Sequence, residues 1–347
     1  MRRGLAILAI NIVLLMIVFL ALELGFRLTG IPYLVEWTPS ETALGRFDRE
    51  LGWSYIPNLS RIIDFGVGVA DVHFEANGIR VPHPDTVLSD SEPTILFIGG
   101  SFVMGHGLSF EESFVGRFAA TEGLPYQVVN LGVQAYGSDQ CLLSLKRHFS
   151  RFNTKIVVYV FTAGHVRRNG NYDRRMLIPA ARFLGTKPLF ALNDESELYL
   201  KKKAKRYDEI WKSHVVDFLI MRVGSLTHTF PPQPERLTIA IINEMNRYCI
   251  AREAVFVLLN WRWTQDDDDL SEHPLDVDVI DVLENAPSGW SETMASDQHP
   301  GPESGIHVAQ LLVEHLRTMG LLDEGQRTPN GLPNTHQSIV KTSRLSE

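Results

Sequence analysis

The stretch Pro93-Thr94-Ile95-Leu96-Phe97-Ile98-Gly99-Gly100-Ser101-Phe102 decides how the chain is read. Residues 94–98 are a short apolar run bounded by turn residues, the pattern of a strand buried on both faces of a parallel sheet. Two glycines end the run and a serine follows at once. A helical pattern then covers residues 111–122, with Phe114, Val115, Phe118 and Ala119 on one face. Further on, residues 127–131 read as a strand, 139–152 as an amphipathic helix and 155–162 as the strongest strand of the chain. A weakly patterned insertion occupies about 166–234, followed by a helix at 235–251, a strand at 254–260, a fifth strand at 277–282 and a closing helix at 304–319. Alternating strands and helices predict an α/β fold, a parallel five-stranded sheet with helices on both faces.

Towards the N-terminus the texture differs. Residues 30–92 are rich in turn residues and short apolar runs, with strands expected at 53–57 and 62–74 and a hairpin-type turn at Asn77-Gly78. Before them, Arg2 and Arg3 precede an uncharged run of nineteen residues, 4–22, closed by Glu23 and Arg27. About 20 apolar residues cross a bilayer as a helix. Positive charge ahead of the span predicts a cytoplasmic N-terminus and an exported remainder. A cleaved signal peptide is the alternative, although the run exceeds a usual signal core and no Ala-x-Ala-like site follows. The expected organisation is a transmembrane anchor (1–29), a β-rich lead-in (30–92), an α/β domain (93–322) and a polar tail (323–347) expected to be disordered.

Composition excludes little else. Of 347 residues 44% are hydrophobic and 21% charged, enough for a sizeable core, and the net charge of −8 gives no basic excess to suggest nucleic acid. The cationic cluster Lys201, Lys202, Lys203, Lys205 and Arg206 reads as a solvated helix face. Cys141 and Cys249 have no metal-ligand spacing and sit in apolar helical patterns, where free buried cysteine is common. His106, His148, His273 and His307 show no paired metal spacing, and residues 266–269 lack the glycine and alternation of a calcium loop. No metal or cofactor is expected.

In an open parallel sheet, reactive groups gather beyond the carboxyl ends of the strands. Three loops there carry suggestive residues. Ser101 follows Gly99-Gly100, which let the backbone turn without a Cβ in the way. Small residues fill the loop Leu131-Gly132-Val133-Gln134-Ala135-Tyr136-Gly137. Asp297-Gln298-His299-Pro300 precedes the last helix, and a carboxylate two residues from a histidine can orient the ring and stabilise its protonated form. Histidine suits the role of base for a serine hydroxyl, itself a weak nucleophile. Taken singly, each loop has an ordinary structural reading as a turn or cap. Trp261 and Trp263, beyond a strand end, read as core packing before they read as a glycan-binding wall.

Taken in order, these blocks resemble the SGNH (GDSL-like) hydrolases. The resemblance lies in residues 95–102, 129–137 and 297–309, and membrane-anchored bacterial members also carry an Asn-Gly before an arginine, as Asn77-Gly78-Ile79-Arg80 does here. It implies a flavodoxin-like three-layer sandwich and a serine esterase or O-acyltransferase on the periplasmic side of a bacterial inner membrane. The implied substrate is an acylated carbohydrate, such as an O-acetylated envelope polysaccharide, or a small ester. By position it implies Ser101 as nucleophile, His299 as base, Asp297 as its orienting acid, and Ser101 and Ala135 as backbone oxyanion donors. The third block departs from the family pattern. Ala163-Gly164-His165-Val166-Arg167-Arg168-Asn169 stands where an Asn-Asp pair is expected, placing His165, or Gly164 if the alignment slips, at the remaining donor position. A lost oxyanion donor costs roughly two to three orders of magnitude in rate. The alternative is therefore a weak or inactive protein of the same fold, serving as a glycan-binding or assembly module.

Overall fold

Successive residues of strand β6 (Pro93–Ile98) enter two different cores: Leu96 and Ile98 pack on one face, Ile95 and Phe97 on the other. That is the period-2 geometry of a strand covered on both sides, and it explains the unbroken apolar run. In the computed structural model, residues 2–31, 43–176, 184–206, 213–227, 234–264 and 274–322 are described. The expected tail at 323–347, the acidic run at 266–269 and His273 lie outside them.

Five strands run parallel: β7 (Gln127–Asn130), β6, β8 (Asn153–Phe161), β11 (Val255–Asn260) and β12 (Val279–Asp281), in that spatial order. On one face α3 (Phe114–Ala119) packs with α8 (Pro302–Thr318), and on the other α4 (Ser138–His148) packs with α7 (Pro234–Ile250). Cys141 and Cys249 are buried free thiols within that second layer.

The expectation of a purely parallel five-stranded sheet is corrected. The sheet has eight strands and is mixed, because β3 (Ser60–Asp64), β4 (Val69–Phe74) and β5 (Arg80–Val81) of the lead-in join it antiparallel beyond β7. Only Arg80 and Asn130 pair across the β5–β7 seam, but the pairing covers what would otherwise be an open edge. The turn at Asn77-Gly78 joins β4 to β5, with Gly78 at φ +77° and its α-carbon face against the Tyr55 carbonyl. The remaining lead-in hairpin, β1 (Gly45–Asp48) with β2 (Gly52–Tyr55), packs into the same core as α4.

Arg80 fastens this seam to the loop after Ser101. Its buried guanidinium donates to the carbonyls of Met104, Gly105 (2.9 Å) and Leu108 (2.6 Å), closing the end of the short helix α2 (Ser101–Met104).

The insertion is built on the sheet's edge helices. It holds α5 (Gly164–Asn169), the hairpin β9 (Leu189–Leu192) with β10 (Leu198–Lys202), and α6 (His214–Thr227). Lys201 and Lys202 are solvated, as expected, but lie on an outer strand and not on a helix. Lys187 forms a buried ion pair with Asp139 at the start of α4 and donates to the Pro188 carbonyl at 2.8 Å. Burial pushes both groups towards their neutral forms, so the pair fixes geometry more than it adds stability. The helix α1 (Arg2–Thr29) is exposed over its apolar run, residues 4–22, and among the described residues it alone is long and apolar enough to cross a membrane.

Replacing Arg80 by methionine leaves the Met104 and Leu108 carbonyls without donors, while Gly105 O keeps the Leu108 N–H at 3.2 Å. An orphaned buried acceptor costs ~1–3 kcal/mol, so the urea midpoint should fall markedly, and Arg80→Lys, with one nitrogen for three directions, should recover little of it.

Candidate active site

The three loops meet at the carboxyl ends of β6 and β7. Ser101 opens α2 directly after β6, where its own N–H, as the first of a helix, has no intrahelical acceptor. His299 reaches it from the opposite loop: Ser101 Oγ and His299 Nε2 are 2.8 Å apart. His299 Nδ1 lies 2.9 Å from Asp297 Oδ2, and the His299 backbone N–H donates to Asp297 Oδ1 at 3.1 Å. This double hold is possible because Gln298 adopts φ +66°, curling the carboxylate back onto the next residue. The loop is closed as a small hairpin by a Met294–Pro300 bridge and by N–H bonds from Ala295 to His299 O, Gln298 to Ala295 O and Gly301 to Thr293 O. Partial burial pushes the Asp297 carboxyl up, but the His299 ring and backbone bonds outweigh it and hold the group below its ordinary value. A proton on Nδ1 facing the carboxylate leaves Nε2 as the acceptor towards the serine.

The loop after β7 supplies backbone donors by elimination. Leu131 donates to Phe97 O, Gly132 to Asn130 Oδ1, Val133 to Gly99 O, Gln134 to the Tyr55 hydroxyl and Tyr136 to Val133 O. Ala135 has no acceptor among the described residues, and neither has the N–H of Ser101. Ala135 sits at φ +63°, a left-handed conformation that costs a non-glycine residue ~1–2 kcal/mol. Close approach holds this loop on the first: a Cβ on Gly132 would come within 2.2 Å of the Met104 nitrogen.

His165 is fully buried, with Nδ1 2.8 Å from the Tyr159 hydroxyl. Tyr159 donates to Ser138 Oγ at 2.7 Å, and Asn169 donates to Ser138 Oγ at 3.0 Å and Thr238 Oγ1 at 2.8 Å. With Tyr159 donating onward, the proton on His165 sits at Nδ1 and Nε2 presents a lone pair. That nitrogen has no partner among the described residues and faces Gly100, 3.3 Å from where a Cβ there would lie. Burial, then the Arg168 guanidinium, keeps the ring neutral far below the ordinary histidine range. Gly164 lies against the same Arg168 side chain, which donates to the Tyr136 carbonyl at 3.0 Å.

One residue to which the sequence pattern assigned no role joins them. His106 stacks on His299 with ring centroids 4.1 Å apart and 23° between planes. Its Nδ1 is 2.6 Å from Gln134 Nε2 and its Nε2 is 3.3 Å from Asp297 Oδ2. An amide N–H pointing at Nδ1 puts the ring proton on Nε2, so Asp297 faces two imidazole N–H groups. His106, Asp297 and His299 offer metal-type ligand atoms within 4.8 Å of one another, although no spacing in the sequence pairs them. Behind His299, Phe102 meets Trp261, Trp263 and the His299 ring, and Trp263 stacks on Trp290 at 4.6 Å. Both Trp261 and Trp263 are buried, so they pack as core. A surface depression between α3 and α8, lined by Arg117, Thr121, Ile306, Gln310, Val313 and Arg317, includes none of these groups.

No family model matches the chain, and no curated protein does. Among solved structures, an acetyl xylan esterase (Est2A) from the rumen bacterium Butyrivibrio proteoclasticus is similar at 12% identity and a TM-score of 0.37, over 69% of this chain and 67% of that one. So loose a likeness carries no chemistry from one chain to the other.

Burial, then repulsion from His299, lowers His106 from the ordinary 6.5 to about 3. Between those values the unfolded chain binds a proton that the folded one refuses, so stability falls as pH drops through that window. Urea unfolding of His106→Gln should show a slope shallower than the parent's by up to ~1.4 kcal/mol per pH unit there. An unchanged slope would mean His106 is not held neutral.

Proposed function

We propose that the protein is a membrane-anchored serine esterase or O-acyltransferase of the SGNH type. Its substrates are ester groups, acetyl among them, on an envelope polysaccharide. The observation that carries this reading is the chain Ser101 Oγ, His299 Nε2, His299 Nδ1, Asp297 Oδ2, with contacts of 2.8 and 2.9 Å, beside two backbone N–H groups without acceptors. A serine activated by a base, and donors aimed where charge develops, are what acyl transfer needs.

In this reading Ser101 Oγ attacks the ester carbonyl carbon while its proton passes to His299 Nε2. Asp297 stabilises the imidazolium through Nδ1–H. The carbonyl oxygen, now an alkoxide, rests between the N–H groups of Ser101 and Ala135. Collapse of the tetrahedral intermediate breaks the bond to the sugar oxygen, which takes the proton from Nε2. Water, or a second sugar hydroxyl, then gives its proton to His299 and attacks the acyl-enzyme; the acyl–Oγ bond breaks, Ser101 Oγ takes the proton back from His299 Nε2, and acid or a new ester leaves. His165 would join as a third oxyanion donor only in the other tautomer, with Ser138 donating to Tyr159 and Tyr159 to Nδ1. The tautomer with a bare Nε2 favours the second reading, a slow or inactive module of the same fold.

The anchor reading rests on the apolar length of α1 and the arginines before it. It places the catalytic domain on the periplasmic side of an inner membrane, with the bilayer as a partner.

A fluorophosphonate probe should label the full-length protein at Ser101, and labelling should vanish in Ser101→Ala. Asp297→Asn should lower kcat on 4-nitrophenyl acetate by ~10³–10⁴ through the wrong tautomer of the base. Equal background in parent and Ser101→Ala would leave only the binding module. Ala135→Gly keeps the N–H and relieves the left-handed strain, so it should retain turnover and raise the unfolding midpoint. A tenfold loss of kcat in that variant would remove Ala135 from the oxyanion site.

A further inference from the structure

Helix α6 carries apolar residues on its outer face as well as on its inner one, where Val215 is buried. Its polar group points inward: Asp217 pairs with the buried Arg175, which also binds Asp173 at 2.8 Å. Its outward face carries Leu219, Val223 and Leu226, which are 50%, 53% and 86% exposed, with Arg222 between them. These positions are three to four apart and form one stripe. A surface helix ordinarily keeps its apolar residues to the inner face alone.

What lies beside that stripe identifies its occupant. The N-terminus of α6 is held by α1 itself. Glu23, the first charge after the apolar run, accepts from the backbone N–H groups of His214 and Val215, both at 3.0 Å, and from the Ser213 hydroxyl at 2.8 Å. His214 Nδ1 lies 2.8 Å from the Ile31 carbonyl, and Phe26 and Phe218 meet edge to face at 5.4 Å. The helix therefore starts where the apolar run of α1 stops, and the exposed apolar surface of α1 continues onto it. Arg222, over the Phe218 ring at 5.7 Å, lies beside that stripe.

We propose that α6 lies in the surface of the same bilayer that α1 crosses, its Leu219, Val223 and Leu226 stripe in the acyl boundary. This rests on the anchor reading. Together with the Asp217–Arg175 tie, it fixes the catalytic domain against the membrane, where an axial tether would leave it free to swivel. It also makes α1 part of the folded unit, since the cap of α6 is a residue of α1.

The test uses the full chain in vesicles of phosphatidylethanolamine and phosphatidylglycerol. An environment-sensitive NBD fluorophore is attached to Leu219→Cys, Val223→Cys or Leu226→Cys singly. Leu14→Cys serves as the α1 control and Glu314→Cys, exposed on α8, as the water control. Cys141 and Cys249 are buried and stay in place, and the unsubstituted chain gives the labelling background. Emission at all three α6 sites should shift to the blue. A nitroxide carried on the lipid should quench it at least twofold, as at Leu14→Cys, while aqueous iodide quenches only Glu314→Cys. Iodide quenching at the α6 sites with Leu14→Cys still quenched by lipid would overturn this proposal alone. A Leu14→Cys label untouched by lipid nitroxide would overturn the anchor and this proposal with it. Protection from both quenchers that grows with protein-to-lipid ratio would also overturn it, assigning the stripe to a second copy of the chain.

Discussion

Gln134 is the residue on which the arrangement turns. Its backbone is gripped from both sides by the lead-in, the N–H donating to Tyr55 and the carbonyl accepting from Trp53 Nε1, both at 3.0 Å. Its side-chain amide meets His106, and His106 in turn lies against Asp297 and the face of His299. The same grip leaves the next N–H, that of Ala135, without an acceptor. One short segment of strand β2 thus positions both the Asp297–His299 pair and the acceptor-free N–H opposite it. Tyr136 closes the circuit, its hydroxyl donating back to the Trp53 carbonyl at 2.5 Å.

The lead-in is therefore part of the site and not a spacer. Arg80 supports the loop after the serine from the same side, through carbonyls at Met104, Gly105 and Leu108. The insertion does the equivalent where the second loop runs into α4: Asn169 binds Thr238 on α7 and Ser138 on α4, and Lys187 pins the start of α4. Each reactive loop is braced by chain that lies far away in sequence. Such bracing matters because a misplacement of about 1 Å can cost a hundredfold in rate.

Much of this was legible from the residues. Strands β6, β7, β8 and β11 announce themselves because burial on both faces demands unbroken apolar runs. Ser101, Asp297 and His299 could be named from their order, since a parallel sheet sends successive loops to one edge. The lead-in's place in the sheet was not legible: β5 is two residues long, and its single pairing with β7 leaves no periodicity. The helix expected at 111–122 shrinks to α3 because Ser113 caps it, accepting from the Gly116 N–H, while Ser109 donates to Glu112 in the turn before. Lys201 and Lys202 looked helical from charge alone, whereas the pairing of β10 with β9 puts them on a strand. His106 could not have been read at all. Its role comes from stacking across two loops, and its only sequence signal is a position between Gly105 and Gly107, both at positive φ.

The hairpin around Gln298 carries one last implication. Asp297 and His299 are joined by their own backbone, with ring and main-chain contacts inside three residues. Any motion that swings this tip away from Ser101 breaks one link and leaves the other whole. A displaced tip would carry the Asp297–His299 pair with it intact, so the contact with Ser101 is regained by translation of a preassembled unit, with no fresh partner search.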